Sequence, residues 1–153
     1  MIHGMHNKGH LNLLYKFIKL GLPWPFGLYK NQRSFCSIDN LCFILNKIIE
    51  NDNINSGVYH ICDSGSLSTN ELVTIIYESI NKKSKFLYVP EFIINLIASI
   101  GTILNLPLNK DKLEKISESL IVDNSKIINE INHKLPIDIK LGIKKTINSL
   151  HIT

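Results

Sequence analysis

The sequence predicts an α/β fold, and three observations predict it. Between Asp39 and Pro90 the segments run helix, strand, helix, strand, the rhythm of an α/β layer rather than of a helical bundle. GVYHICD, residues 57–63, is rich in β-branched and aromatic side chains, and its near-continuous apolarity suits a strand covered on both faces. Beyond Pro90 the pattern turns mostly helical.

Taken in order, Met1 and Ile2 form a short apolar pair that runs straight into a glycine and a polar turn, so the chain begins like the middle of a protein. HLNLLYKFIKLG places Leu11, Leu14 and Ile18 on one helical face, and Gly21 followed by Pro23 stops that helix. WPFG and RSFCSI read as short extended pieces. The second leads into Asp39, the expected N-cap of a helix carrying Leu41, Ile44, Leu45 and Ile48, which NDNINSG ends in a polar loop. Ser68-Thr69-Asn70-Glu71 has the form of a capping box, and Leu72, Ile75, Ile76 and Ile80 carry the helix behind it to about Asn81. KFLYVP is a further strand, closed by Pro90.

FIINLIASIGTILNLPL, from Phe92 to Leu108, is apolar, yet it is too short to span a bilayer and carries Asn95, Ser99, Gly101 and Asn105. Ile93, Ile97, Ile100 and Leu104 share one face, which predicts a packed or interface helix rather than one lying on a membrane. Three more helices follow, near Asp111 to Ser119, Ser125 to Ile131 and Asp138 to Leu150, with LIVD extended between the first two. GVYHIC and KFLYVP lack an obvious sequential partner, so they call for pairing from elsewhere.

With 153 residues, 44% hydrophobic and 20% charged, the chain can bury one modest core. Its net charge of +4 comes from scattered lysines, and the densest groups, Lys82, Lys83 and Lys85 or Lys144 and Lys145, are too short to trace a nucleic-acid backbone. Both read as solvated faces, and no nucleic-acid partner is expected. Cys36, Cys42 and Cys62 form no Cys-x-x-Cys pair, and no secretory segment is visible. A cytoplasmic setting with free, mostly buried thiols follows.

Three features could carry chemistry. Arg33 opens the extended piece before a capped helix, and its planar fork of donors suits two phosphate oxygens at roughly 1.5 to 3 kcal/mol per charge-assisted bond. Its bland alternative is a surface salt bridge. Trp24 and Phe26 flank Pro25 beside a glycine turn and could stack on a flat ring, or simply fill the core. His3, His6 and His10 have a spacing that invites zinc or copper, but nothing nearby in sequence orients them, and no metal site is expected. His60 reads as a core or edge histidine. No Gly-x-Gly-x-x-Gly or P-loop spacing occurs.

In order, MIHGMHNKG, LLYKFIKLGLPWPFG, RSFCSIDNL, SGVYHICDSGSLSTNEL and SLIVDNSKI resemble the C-terminal part of NAD-dependent nucleotide-sugar epimerases and dehydratases, the extended short-chain dehydrogenases. The nearest likeness is to bacterial UDP-sugar epimerases and 4-keto-sugar reductases that make surface-polysaccharide precursors. The resemblance implies the last Rossmann strands plus a small, mostly helical substrate domain. It divides the chain into residues 1–36 (turn, helix and short strands of the substrate side), 37–66 (helix and Rossmann strand) and 67–153 (substrate-binding helical subdomain).

In that family Met-Ile-His-Gly lies just past the catalytic Tyr-x-x-x-Lys, so the expectation is a C-terminal half whose NAD(P) site and catalytic residues lie elsewhere. Arg33 falls on the family's arginine that grips the nucleotide diphosphate, Phe26 falls where the chain passes the uracil, and Leu11 matches a position whose backbone approaches the nucleotide. The family's Gly-Pro-Gly-Asn-Lys-Gly-Asn turn is here Gly4, Met5, His6, Asn7, Lys8, Gly9 and His10. Met5 and His6 therefore replace a fixed-φ proline and a permissive glycine, and His10 replaces an asparagine that would bond the sugar nucleotide. Leu120 stands where an aromatic residue is common. The implied role is UDP-sugar binding, completed by a separate N-terminal half or a homodimer. The alternative is a noncatalytic nucleotide-sugar binding or interaction module, or the product of a degraded gene.

Overall fold

The ladder at the N-terminus is short. In the computed structural model, which describes residues 1–103 and 110–150, β1 (Ile2–His3) lies parallel to β2 (Cys36–Ser37), with Ile2 opposite Cys36 and His3 opposite Ser37. Parallel neighbours need a crossover. It contains α1 (His10–Lys19), which buries Leu11, Tyr15 and Ile18 and stops at Gly21, whose φ of +80° a side chain would strain.

α2 (Ile38–Ile49) is capped two residues earlier than the sequence predicts. Ser37 has extended backbone, and its Oγ accepts from the Asn40 N–H at 3.2 Å, so Ser37 rather than Asp39 is the N-cap. Asp39 sits in the first turn, where the positive helix end favours a carboxylate, and pairs with Lys145 at 3.2 Å on the surface. Of the four expected inward residues only Ile44 is fully buried, and Leu45 is exposed.

α3 (Thr69–Ser79) begins with the predicted capping box, both halves of which form. It buries Leu72, Val73, Ile75, Ile76 and Tyr77 and ends at Asn81 in the left-handed region. KFLYVP finds a partner inside the chain: Trp24 N–H donates to the Lys85 carbonyl, Leu87 N–H to the Trp24 carbonyl and Gly27 N–H to the Leu87 carbonyl. The two aromatic-rich pieces thus close on each other.

GVYHICD departs from its expectation of a strand covered on both faces. Val58 is 80% exposed, and among the described residues its backbone pairs with other backbone only through Asp63 N–H to the Phe35 carbonyl. A strand is made by its neighbours, and here Cys62 and Asp63 are buried while Tyr59 and Ile61, partly buried, pack against a cluster around Ile44. Cys36 and Cys62 are buried and Cys42 is exposed, in keeping with free, mostly buried thiols.

The remaining described elements are α4 (Glu91–Ile103), α5 (Lys110–Ser117), α6 (Ser125–Ile131) and α7 (Ile139–Ser149). LIVD runs extended beside residues 32–34, with Ser34 N–H donating to the Leu120 carbonyl and Leu120 N–H to the Gln32 carbonyl. α4 packs through Ile94 and Ala98, while Ile93, Ile97 and Ile100, the face expected to pack or to form an interface, are exposed. Leu104, the fourth member of that face, lies outside the described residues.

Buried apolar groups fall in two clusters, not the single core expected. The larger joins α1, α3 and α7 with Trp24, Phe26, Phe35 and Leu67; the smaller centres on Ile44, Ile127 and Ile131.

Candidate functional site

Arg33 is held from both sides by backbone. Its N–H donates to the Leu67 carbonyl at 2.9 Å and its carbonyl accepts from the Leu67 N–H at 3.0 Å, while LIVD pairs with the residues on either side of it. Asn31, fully buried, ties the same strip to two helices. Its Nδ2 donates to Thr69 Oγ1 and to the Ile116 carbonyl, both at 2.9 Å, and its Oδ1 accepts from the Thr69 N–H. The Arg33 side chain is half-buried and uses Nε on the Glu118 carbonyl at 3.3 Å. Among the described residues no carboxylate pairs with it, so the salt-bridge alternative finds no support. A guanidinium fixed at its base with its outer N–H groups available is a cation placed for an anion.

The aromatic turn is core. Phe26 is 6% exposed, its ring 4.9 Å from Trp24 and 5.7 Å from Tyr29 between centroids, both edge-to-face. Asn70 pins the turn: it accepts from Trp24 Nε1 and donates from Nδ2 to the carbonyls of Gly27 and Tyr29. Burial, and secondarily the charge of Glu91, pushes the Tyr29 hydroxyl above its ordinary value. Leu11 is buried in the same cluster, at the start of α1, while His10 is exposed. The first intrahelical bonds there are from the Asn12 and Leu13 N–H groups to the Gly9 carbonyl. Among the described residues the N–H groups of His10 and Leu11 are left without an internal acceptor, as at any helix start.

Leu11, Phe26 and Leu67, the backbone partner of Arg33, therefore share one cluster, while His10 stands outside it. Clefts open on the described surface, two of them beside these elements. One, of about 370 Å³, lies between α3, α7, Phe86 and Tyr88; the other, of about 680 Å³, lies between Tyr29, Lys30, α4 and α5. None of Arg33, Phe26, Leu11 or His10 lines either.

Sequence reasoning missed a buried polar centre beside β1. Asp63 accepts from the Ser37 N–H with both oxygens, at 2.9 and 3.0 Å, and from Asn40 Nδ2 at 2.7 Å. His3 Nε2 lies 3.5 Å from Asp63 Oδ2, and His3 Nδ1 meets Thr146 Oγ1 at 2.9 Å. Burial pushes the Asp63 carboxyl up, but the neighbouring His3 and the hydrogen bonds from Ser37 and Asn40 outweigh it and hold it below the ordinary carboxylate value. Burial, then the charges of Asp63 and Cys62, raises the Cys36 thiol to about 11. Both side chains of the His3 and Asp63 pair are wholly buried, so the centre holds β1, β2, α2 and α7 together and meets no ligand. His3 thus leaves the histidine trio, and among the described residues no three His, Cys, Asp or Glu side chains gather as a metal site. His60 is exposed, at the edge rather than in the core.

No protein-family model matches the chain. A UDP-glucose 4-epimerase of Vibrio cholerae is 25% identical over 147 residues, 95% of this chain and 43% of that protein. The crystal structure of a UDP-glucuronic acid 4-epimerase from Bacillus cereus in complex with NAD superposes with a TM-score of 0.65 at 14% identity, over 99% of this chain and 42% of its own. A UDP-glucose 4-epimerase from Thermotoga maritima, with UDP-glucose, superposes with a TM-score of 0.63 at 16% identity, over 99% and 43%. The chain thus spans less than half the length of these relatives. It is similar in sequence and fold to the C-terminal portion of NAD-dependent nucleotide-sugar epimerases, and its fold is that portion of an extended short-chain dehydrogenase.

Proposed function

We propose that this chain carries the nucleotide-sugar side of an NAD-dependent UDP-sugar epimerase, dehydratase or 4-keto-sugar reductase, with hydride and proton transfer completed by groups outside it. The observation that supports this reading most directly is Arg33: a backbone clamped on both flanks and a guanidinium with no described carboxylate partner. In this reading Arg33 grips the diphosphate, and the backbone of Leu11 approaches the nucleotide. Phe26, wedged between Trp24 and Tyr29, shapes the wall behind the base rather than stacking on it. His10, exposed at the α1 start, takes the place of an asparagine toward the sugar.

The residues around β1 do not fit a dinucleotide. Its pyrophosphate needs a glycine turn that opens onto a helix N-terminus, whereas a Cβ at Gly4 would meet Ile38 Cγ2 at 2.6 Å, so this glycine serves the contact with α2. No step is therefore assigned to these residues toward the cofactor.

Calorimetry with UDP tests the reading. Arg33→Ala should weaken binding about tenfold or more, the loss of one charge-assisted phosphate contact, and unchanged affinity would remove Arg33 from the site. A noncatalytic binding module is the second reading. The pairing of Trp24 to Gly27 with Lys85 to Leu87 favours it, because that strip needs no outside strand. Turnover of a UDP-sugar with NAD by this chain alone would exclude it.

A further inference from the structure

The smaller cleft, of about 370 Å³, includes neither Arg33 nor any residue of the β1 centre, and its walls carry chemistry of their own. One wall is aromatic. A Cβ at Gly27 would meet Tyr88 Cδ1 at 2.9 Å and Cε1 at 3.0 Å, so the absent side chain lets the Tyr88 ring lie against the turn. That ring is still 66% exposed, and half-buried Phe86 and buried Ile75 continue the apolar surface. A lone exposed aromatic residue would be ordinary. Here it lines a concave site at the lower end of the size range of small-molecule pockets.

The charges of α3 and α7 narrow the ligand. Glu78 and Lys144 close on each other at 3.0 Å. Glu71 and Lys140, from the same two helices and lining the same cleft, do not close. Among the described residues Lys140 Nζ has no carboxylate within ion-pair distance, and Glu71 takes both Ser68 hydrogen bonds on Oε2, which leaves Oε1 without one. The Glu71 carboxyl is held below its ordinary value chiefly by Ser68, and the charge of Lys140 reaches it as well. Opposite charges thus face one cleft without meeting. Each lysine of the cleft comes with a carboxylate, so its field does not favour a polyanion such as a nucleotide phosphate. A molecule with one charge of each sign satisfies both open groups through charge-assisted hydrogen bonds, and a flat apolar part covers the exposed rings. We propose that this cleft binds a small zwitterion with a flat apolar side chain, an aromatic α-amino acid, its carboxylate on Lys140, its ammonium on Glu71 and its ring on Phe86 and Tyr88.

Titration of the full chain with L-phenylalanine, followed through its backbone amides by NMR, is the test. The expected result is saturable shifts confined to the cleft, with a dissociation constant of about a millimolar, the strength a ligand of this size reaches. Lys140→Ala and Tyr88→Ala should each weaken binding about fivefold or more, through the loss of a charge-assisted bond and of a ring contact. Lys140→Arg, which keeps the charge, should still bind. Lys145→Ala, on the same helix but paired with Asp39 away from the cleft, should leave the affinity unchanged. Phenethylamine and 3-phenylpropionate, each with the ring and one of the two charges, should bind about fivefold or more weakly than the amino acid. Far-UV circular dichroism of each variant confirms retained helix. No saturable shift, shifts centred elsewhere, or undiminished binding by Lys140→Ala overturns the proposal. So does 3-phenylpropionate that binds as tightly as L-phenylalanine, since the cleft would then read an anion and not a zwitterion.

Discussion

Asp63 gathers more of the buried polar structure than any residue the sequence singled out. It takes three hydrogen bonds from Ser37 and Asn40 and faces His3, and its carboxyl is held below the ordinary value. An unfolded carboxylate titrates near about 3.9. The folded value lies lower, so the unfolded chain takes up the proton first. The stability Asp63 confers is therefore complete above the ordinary carboxylate range and is lost as pH falls through the folded value. Asp63→Asn should cost about 3 kcal/mol at neutral pH, as breaking a buried pair does, and urea titrations should show that gap narrowing as the pH drops below 4. A constant gap would mean that the charge is irrelevant. His6 is a second residue-scale case: it holds φ at +57°, where a side chain costs about 1 kcal/mol. His6→Gly should raise the melting free energy by about that amount. Neither feature was fully legible. His6 was read only as standing in place of a permissive glycine, and the pairing of His3 with Asp63 joins residues 60 apart, whereas local spacing pointed His3 to His6 and His10 instead.

At the scale of elements, what the sequence told correctly is what local chemistry determines. α6 and α7 lie where periodicity placed them, and the Ser68 box forms because its donor and acceptors are three residues apart. Ser68 gives Glu71 two hydrogen bonds at 2.8 Å, which hold that carboxyl below its ordinary value. Ser68→Ala removes the side-chain half of the box and should destabilise the chain by about 1 kcal/mol, with the Glu71 carboxyl rising toward its ordinary value by NMR titration. What failed depended on distant partners. GVYHICD has the composition of a covered strand, but among the described residues only Phe35 gives it a backbone-to-backbone bond; KFLYVP looked partnerless, yet Trp24 and Gly27 complete it. The stripe of α4 had the expected period, and periodicity identifies an apolar face without saying what covers it.

Across the whole molecule, the two apolar clusters are joined through α2, and Asn40 is the joint. Ile44, one turn further along α2, centres the smaller cluster with Ile127 and Ile131. Asn40 reaches the opposite way: Nδ2 donates to Asp63 Oδ1 at 2.7 Å and to the Ile137 carbonyl at 2.8 Å, and Oδ1 accepts from the Ile137 N–H at 3.1 Å. That single amide links β2, the Asp63 turn and the approach to α7, whose Ile139, Ile143 and Ile147 belong to the larger cluster. Asn40→Ala would leave three buried polar groups without this partner, each costing about 1 to 3 kcal/mol. The loss falls on the junction rather than within either cluster, so cooperativity should suffer more than the larger cluster's own stability. Trp24, the sole tryptophan, reports on the larger cluster, and a fluorophore on the exposed Cys42 of α2 reports on the smaller. In the wild type the two urea transitions should coincide. In Asn40→Ala the α2 probe should unfold at lower urea while Trp24 holds, and coincident transitions in both proteins would show that the clusters are coupled by packing instead.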